Sequence, residues 1–497
     1  MKHDYPKRAA TFCMLALLAG CAVGPNYVRP SVTLPAAYKE NGNWKPARPQ
    51  DLISRGNWWE IFGDPKLNAL EQQIDISNQN VRIAEAQFRE ARALVQAART
   101  GYFPTVSGTV STSRSGPASG SSNRIATGPA TDHTLSLDAS WEADVWGRIR
   151  RTVEASEANA QASAADLESA RLSAQADLAQ DYFLLRVTDA QQQLLNDTVA
   201  AYERSLQLTK NQYAAGVAAK ADVVQAETQL KTTQAQAIDV GVQRAQLEHA
   251  IALLVGKPAS TFSIAPERLA ATAPPIPVGV PSQLLERRPD IAATERQVAA
   301  ANAQIGVAES AYFPSLTLSA SGGFESASFA HWLSAPSLFW SVGPALAATL
   351  FDGGLRQAQT EQARAAYDAA VASYRQTVLT AFQQVEDNLA ALRILKQEAR
   401  VQDQAVKAAR ESVTLTTNQY KAGTVSYLNV VTVQAAALSN ERTAMNIIGQ
   451  QLTASVLLIK ALGGGWNVSQ LPNAGTLAGN GNSSASSANH GARDANR

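Results

Sequence analysis

The 497-residue sequence predicts a mixed fold in which transmembrane β-strands lead directly into very long α-helices. Apolar and polar residues alternate from Leu135 to Val145, the period of two that gives a strand one apolar face and one polar face. Gly147 ends this alternation, and an alanine-rich helical pattern then runs without interruption to about Tyr213. A helix of roughly 65 residues spans roughly 100 Å. Because no compact domain needs such a helix, we expect this segment to bridge two distant places.

Residues 1–20 have the features of a secretory signal peptide: a basic start, a short apolar run and small residues before a cleavage site. The Leu-Ala-Gly-Cys tetrad that ends at Cys21 resembles a lipobox, which implies cleavage before Cys21 and lipidation of its sulfur. An ordinary signal with a chance cysteine is the simpler alternative. Ala22 follows the cysteine, as in bacterial lipoproteins sorted to the outer membrane. We therefore predict a lipidated N-terminal tether over residues 21–62.

The composition argues against an enzyme, a metalloprotein and a nucleic-acid-binding protein. A net charge of +1 gives no basic surface for nucleic acid. Cys13 lies inside the predicted signal, so the mature chain keeps only Cys21 and has no disulfide or cysteine nucleophile. The histidines form no metal-spaced pair; they are His3, His133, His249, His331 and His490. We predict no catalytic residue, no metal site and no cofactor except the covalent lipid on Cys21.

Residues 63–270 are interpreted as a first structural repeat. A helical pattern is followed by a weak strand over about 104–113 and by a loop rich in Gly, Ser and Pro. The strongly alternating strand, over about 133–145, returns from that loop and completes a hairpin. The long helix then turns at about 213–222, and a second helix runs back to about Val255.

The second half of the chain repeats the motifs of the first half in the same order. Tyr102-Phe103-Pro104 returns as Tyr312-Phe313-Pro314, and Asn211-Gln212-Tyr213 returns as Asn418-Gln419-Tyr420. The strands of this copy are expected at about 314–322 and 338–351, and its helix turn at about 420–432. The boundaries of the predicted regions are 271–281 for a Pro-rich linker, 282–465 for the second repeat and 466–497 for a disordered tail.

The second long helix carries an apolar seam that steps by four and three residues from Tyr367 to Leu395. Such seven-residue spacing predicts a left-handed coiled coil with neighbouring helices. Asn388 is the one polar member of the seam, and a polar residue in this position fixes register in coiled coils.

Two strand pairs give the chain four amphipathic strands in all. The sequence after the signal has no apolar run long enough for a transmembrane helix, so a membrane-spanning form must be a closed β-barrel. Four strands cannot close a useful barrel, and open edges are not tolerated in lipid. We therefore predict a homo-oligomer with a shared barrel and a shared helical tube. Apolar strand faces meet lipid, whereas polar faces, including Asp138, Glu142 and Asp144, meet water.

Together these motifs resemble the TolC-like outer membrane factors, in particular the lipoprotein branch that serves RND-type tripartite efflux pumps. The resemblance is carried by the lipobox, Trp58-Trp59, the paired Tyr-Phe-Pro and Asn-Gln-Tyr motifs, and Asp352-Gly353-Gly354. It implies a homotrimer whose chains each give four strands to a twelve-stranded outer-membrane β-barrel, and coiled-coil helices that form an α-helical barrel across the periplasm. It also implies two partners, a periplasmic adaptor (membrane fusion protein) and an RND-type inner-membrane pump.

The resemblance further implies a periplasmic gate at the two helix turns, formed by Tyr213, Asp222, Tyr420, Asn429 and Thr432. Tyr420 and Asp222 match two residues that tie one helix pair to the next in the best-known members. A simple helix N-cap is an equally good interpretation of Asp222. We expect these residues to hold the tip of the helical tube closed.

Three positions at the turns depart from the family pattern. Val425 stands where the best-known members have an arginine, and Asn429 and Thr432 stand where they have aspartates at the narrowest point. The missing arginine predicts a tip with fewer ionic ties. Because a carboxylate ring favours cations, the missing aspartates predict a less cation-selective pore. Gly216 and Gly423, which follow the Asn-Gln-Tyr motifs, are predicted helix-turn caps.

The predicted function is an outer-membrane channel lipoprotein, the exit duct of a tripartite efflux pump for small molecules. The alternative is a lipid-anchored periplasmic coiled-coil adaptor or scaffold that does not span the membrane. That alternative explains the signal, the anchor and the seven-residue spacing. It does not explain two pairs of alternating strands set between helices, so the channel is favoured.

Overall fold

The computed structural model describes residues 22–33, 35–41, 57–116, 129–269, 273–276 and 281–478. The predicted signal peptide, Cys21 and parts of the predicted tether, linker and tail lie outside these ranges. In chain order, the α-helices and β-strands of the described part are α1 (Pro65–Ser77), α2 (Gln79–Arg99), β1 (Thr105–Ser115), β2 (Ala130–Ala143), α3 (Arg148–Ala214), α4 (Lys220–Leu254), α5 (Leu284–Arg287), α6 (Pro289–Ser310), β3 (Ser315–Ser326), β4 (Leu338–Ala347), α7 (Leu355–Lys421), α8 (Tyr427–Ala461) and α9 (Ala474–Ala478). Short 3-10 helices include Trp58–Phe62, Phe329–His331, Ala335–Ser337 and Val468–Gln470.

The long helices α3 and α7 contain 67 residues each. At the α-helical rise, each extends about 100 Å. Each follows a left-handed glycine, Gly147 at φ 81° and Gly354 at φ 92°, which turns the chain into the helix. The carboxylate of Asp144 accepts a hydrogen bond from the Ile149 N–H at 2.8 Å, and that of Asp352 accepts one from the Gly354 N–H at 3.0 Å. These carboxylates satisfy N–H groups near a helix start and favour its positive end.

The two long helices organise the helical layer. In the half next to the sheet, α3 packs against α2 and α6, and α6 packs against α7. In the other half, α3 packs against α4 and α8, and α8 packs against α7. The largest hydrophobic core lies along the middle of the long helices, where Trp58, Phe183 and Tyr374 are buried.

The middle of the α7 seam is buried, with one local departure at Asn388, after which Leu392 resumes the predicted spacing. The fully buried seam positions before this point are Tyr374, Val378, Ala381 and Val385. Leu389, rather than Asn388, takes the next buried position. The amide of Asn388 instead donates to the carbonyl of Gln384 in its own helix at 2.7 Å. Among the described residues of one chain, Asn388 therefore makes no hydrogen bond to a neighbouring helix, and its role in register stays a prediction.

The four strands form one antiparallel sheet in the order β1-β2-β3-β4. Its central pair joins β2 of the first repeat to β3 of the second, so neither repeat forms a sheet alone. The register aligns the apolar positions of all strands on one face; they include Val106, Val110, Leu135, Leu137, Ala139, Trp141, Leu316, Leu318, Ala320, Phe324, Leu338, Trp340, Val342 and Leu346. Trp340 is 77% exposed, so this apolar face is uncovered in the single chain.

Two strand boundaries differ from the sequence prediction for a physical reason. Gly322 and Gly323 favoured the end of β3, but pairing with β2 continues to Ser326, opposite His133. Conversely, β4 ends at Ala347 because its partner Ser315 is the first residue of β3. The other two strands differ from the predicted ranges by two or three residues at some ends.

The described part of the tether lies along the helices near the sheet. The N–H of Val23 donates to the carbonyl of Trp146 at 3.0 Å. The buried guanidinium of Arg151 donates to the carbonyls of Val23 and Gly24 at 3.2 and 3.1 Å and to Asn26 at 3.0 Å. The start of the described chain is therefore fixed beside the junction of strand and helix.

The predicted disordered tail is wrong for residues 466–478. Trp466 and Leu477 are buried, and Leu477 packs against residues of α2 and α3. Gln96 donates to the carbonyl of Leu477 at 3.1 Å. Two apolar side chains spaced along a polar segment gave too weak a signal for this docking. Within the described ranges, no helix combines the length and apolarity needed to cross a membrane.

Candidate functional site

The two helix turns lie together at the end of the molecule farthest from the sheet. Gly216 ends the α3 turn at φ 75°, and Gly423 ends the α7 turn at φ 74°. The N–H of Gly216 donates to the backbone carbonyl of Tyr213 at 2.9 Å, and the N–H of Gly423 donates to the backbone carbonyl of Tyr420 at 3.0 Å. A left-handed residue after the last helical turn is favourable for glycine, which explains both positions.

A separate hydrophobic cluster, here called the tip cluster, joins α3, α4, α7 and α8 behind these turns. Its buried members are Tyr202, Leu206, Ala226, Leu230, Tyr420, Tyr427 and Val430. The rings of Tyr420 and Tyr427 meet edge to face, with centroids 5.2 Å apart. The turns of the two repeats are therefore packed into one unit.

The hydrogen bonds inside the tip cluster join neutral groups. The hydroxyl of Tyr420 donates to Thr209 Oγ1 at 3.5 Å, and the hydroxyls of Tyr427 and Ser205 are 3.1 Å apart. Burial raises the pKa of Tyr420, and the negative charge of Asp222 raises it further. Burial likewise raises the pKa of Tyr427. Both phenols are therefore protonated at neutral pH.

Asp222 is not the N-cap of α4: Ala219 holds that position, and Asp222 is the third helical residue, whose side chain reaches back to it. Its carboxylate accepts a hydrogen bond from the N–H of Ala219 at 3.2 Å, three residues earlier. Within the described residues, no hydrogen bond joins Asp222 to Tyr420, whose hydroxyl meets Thr209 instead. Asp222 and Tyr420 are close enough to influence each other electrostatically, but they are not tied directly in this chain.

The other predicted gate residues lie on the surface of the single chain. Tyr213 is 47% exposed, and Asn429 and Thr432 are exposed on the first turns of α8. The hydroxyl of Thr432 donates to the carbonyl of Leu428 in its own helix at 2.9 Å. Val425 packs against the tip cluster as an apolar side chain. Of the predicted gate residues, only Tyr420 belongs to the tip cluster.

Several residues of the tip cluster were missed by sequence reasoning. Tyr427, Ser205 and Thr209 supply its hydroxyl contacts, and Tyr202 lies beside them. Tyr202, Leu206 and Thr209 have the spacing of one helix face, and this pattern was the available signal. It was hidden because the surrounding residues are polar, as expected for an exposed helix.

Charge is sparse along the segment that carries the second turn. From residue 412 to residue 440, Lys421 is the only charged residue. The described residues also contain no group of three or more histidine, cysteine or carboxylate side chains that could hold a metal ion.

Comparison with known proteins places this architecture in a family. The sequence model of the outer membrane efflux proteins matches residues 70–257 and again residues 280–464, once in each repeat. The chain belongs to the outer membrane efflux protein family. The predicted fold class, function and location are thereby confirmed. This efflux protein is an outer-membrane channel component whose helices extend into the periplasm.

Individual relatives cover nearly the whole chain. The antibiotic efflux pump outer membrane protein ArpC of Pseudomonas putida is 30% identical over 453 residues, which cover 90% of this chain and 94% of ArpC. The cation efflux system protein CusC of Escherichia coli is 27% identical over 466 residues, or 93% of this chain and 99% of CusC. The solved structure of the outer-membrane channel OprN matches with a TM-score of 0.84 and 32% identity, covering 90% of this chain and 100% of OprN.

Proposed function

We propose that three copies of this chain form a continuous exit duct, with a twelve-stranded β-barrel and an α-helical barrel. The open edges β1 and β4 support this assembly, because each has one side without a strand partner among the described residues. A lipid-embedded sheet must satisfy those edges, and the equivalent edge of a neighbouring copy does so.

The helices give a second reason for the same assembly. Several apolar side chains of α7 are exposed in the single chain, including Leu379, Ile394 and Val401. They lie on a helix that already packs against α6 and α8 on its other sides. A neighbouring chain that covers this surface also closes the helical tube.

As an efflux component, the trimer receives its cargo from a periplasmic adaptor and an RND-type inner-membrane pump. The cargo is a small molecule that passes through the duct without covalent change, so the chain is a conduit and not an enzyme. Relatives named for antibiotic and for cation efflux share this architecture. This variety supports cargo selection by the pump.

The covalent lipid on Cys21 attaches the duct to the inner leaflet of the outer membrane. Ala22 lies within about van der Waals contact of Gly147: a Cβ built at Gly147 would be 3.0 Å from the Ala22 Cα. Ala22 therefore lies near the periplasmic end of the sheet, close to lipid.

The observation that carries the proposal is the single apolar face that runs across all four strands. We expect discrete conducting steps when the purified protein is reconstituted in a planar lipid bilayer. Silence of the wild-type protein and of variants with a loosened tip would overturn the duct. The anchored scaffold would then be the better function, although no feature of the sheet favours it.

A further inference from the structure

The extracellular end of the sheet carries a patch that neither the duct nor its gate uses. This end is the one remote from the helices, where β1 and β3 finish at Ser115 and Ser326. The apolar face of the sheet, here called the apolar band, ends there at Thr112 and His133, which are opposite each other in the strand register. We define the rim patch by its four residues, Arg114, His133, Phe329 and Trp332.

The period of two places the basic residues of this patch on the lipid-facing side of the sheet. His133 lies two residues from Leu135, and Arg114 lies four residues from Val110, so both share the face of the apolar band. The nearby acidic residues Asp132 and Glu325 are one residue out of phase and lie on the polar face. The outward face at this height is therefore basic.

The loop between β3 and β4 folds back onto the same face. The rings of Phe329 and Trp332 lie 5.4 and 5.9 Å from the ring of His133. The indole N–H of Trp332 donates to the carbonyl of Phe324 at 3.2 Å. Phe329 is nevertheless 72% exposed. The loop thus holds an aromatic surface against the rim, at the boundary where aromatic residues favour the membrane interface.

The polar groups of the rim patch suit a phosphate. Thr112 Oγ1 and His133 Nδ1 are 2.9 Å apart, an interaction that orients the imidazole and directs its Nε2 away from β1. Arg114 is exposed, and a guanidinium binds phosphate oxygens in a two-pronged geometry. A basic group next to an aromatic surface, at the height of the lipid headgroups, fits an anionic amphiphile.

We propose that the rim patch binds the phosphorylated sugar headgroup of a glycolipid in the outer leaflet. Arg114 and His133 contact the phosphate, and Phe329 and Trp332 pack against the sugar and the first methylene groups. The inference depends on the outer-membrane location of the sheet, but it does not depend on conduction. Lipid binding can therefore fail while the duct still conducts, and conduction can fail while the lipid still binds.

The test measures binding of diphosphorylated lipid A to the full-length purified oligomer by native mass spectrometry. Dephosphorylated lipid A and phosphatidylglycerol serve as comparison lipids. We expect diphosphorylated lipid A to bind best, and Arg114→Gln with His133→Gln to weaken its binding roughly tenfold, as the loss of a charge-assisted contact predicts. Trp332→Leu should weaken the binding of both forms of lipid A.

Matched variants separate the patch from general charge. Arg114→Lys keeps the positive charge and should retain most of the binding. Arg204→Gln removes an exposed arginine from α3, far from the membrane, and should leave binding unchanged. Equal binding of phosphorylated and dephosphorylated lipid A would overturn the proposal. Equal binding of phosphatidylglycerol, or full binding by the double variant, would do the same.

Discussion

At the scale of single residues, the tip depends on buried phenol rings more than on charges. Tyr420 is 7% exposed and Tyr427 is 1% exposed. Their hydroxyl hydrogen bonds are 3.5 Å to Thr209 and 3.1 Å to Ser205, so neither is short. The carboxylate of Asp222 contributes a hydrogen bond at the start of α4. A single hydrogen bond of this kind contributes on the order of 1 kcal/mol. The packing of the two turns in one chain is therefore stabilised by several modest terms, which small changes can shift.

We expect Asp222→Ala combined with Tyr420→Phe to loosen the tip. The first change removes the hydrogen bond at the start of α4, and the second removes the contact with Thr209. Single-channel recording should show larger or longer openings than in the wild type. Tyr312→Phe is the control, because Tyr312 lies next to the start of β3, at the other end of the molecule from the tip cluster. Unchanged conductance in the double variant would contradict the role of these two residues in closure.

Glu71 is the other residue-scale feature with a measurable consequence. Its side chain is fully buried, and neither carboxyl oxygen has a hydrogen-bond partner among the described residues. Burial raises its pKa well above the usual value, and the charge of Asp75 raises it further. The folded chain therefore holds this carboxyl group protonated, and its ionisation is unfavourable.

Glu71→Gln should stabilise the protein at alkaline pH. Because the folded-state pKa lies above the unfolded one, the contribution of Glu71 is full below the unfolded pKa and is lost as pH rises through the folded pKa. We expect a rise of a few degrees in the apparent unfolding temperature at about pH 8 and little change at about pH 4. Thermal unfolding followed by circular dichroism measures this difference. Glu85→Gln, at an exposed position of α2, is the control; the same shift at both pH values would refute the explanation.

At the scale of elements, the sheet depends on a close approach between β2 and β3. Gly323 is paired with Ser136. A Cβ built at Gly323 would lie 1.9 Å from the carbonyl oxygen of Leu135 and 2.8 Å from the Cα of Ser136. Because both contacts are with backbone, a side chain forces the two central strands apart.

Gly323→Ala should therefore prevent assembly in the outer membrane. Gly322→Ala, whose added Cβ would lie no closer than 3.7 Å to an atom of a non-neighbouring residue, should assemble normally. Both substitutions add one methyl group to the same sheet, so they differ only in the space available. The amount of oligomer in outer-membrane fractions, measured by native gel electrophoresis, distinguishes them. Wild-type amounts of Gly323→Ala oligomer would show that the strands accommodate the methyl group.

At the scale of the whole molecule, the water path changes in charge along its length. The polar face of the sheet holds Asp138, whose carboxylate accepts hydrogen bonds from Ser136 at 2.8 Å and from Ser321 at 2.7 Å. The segment around the second turn has no carboxylate between Glu411 and Glu441. If the proposed trimer narrows at this turn, its constriction has no acidic ring to favour cations.

Asn429→Asp combined with Thr432→Asp should make the pore more cation-selective. The variant adds two carboxylates per chain at exposed positions on the first turns of α8. We expect the reversal potential across a salt gradient to shift toward the cation value. Asn429→Gln with Thr432→Ser keeps both positions neutral and should not shift it. A reversal potential unaffected by the aspartates would place the constriction elsewhere.

Features that depend on local order could be predicted from the amino-acid pattern alone. Period-two alternation predicted the strands, and uninterrupted helical patterns predicted α3 and α7, because side-chain periodicity follows directly from backbone geometry. Repeated motifs predicted two equivalent units, and glycines after Asn-Gln-Tyr marked both helix turns, since left-handed backbone favours glycine. The resemblance built on these motifs gave the family and the channel function.

The contacts between residues of the two repeats could not be predicted in this way and became visible with the folded chain. Pairing with β2 carries β3 past Gly322 and Gly323, and packing selects Leu389 over Asn388. The hydroxyl of Tyr420 meets Thr209, although the two residues lie far apart in the sequence. Such choices depend on contacts between distant segments, and local periodicity contains no information about the neighbouring surface.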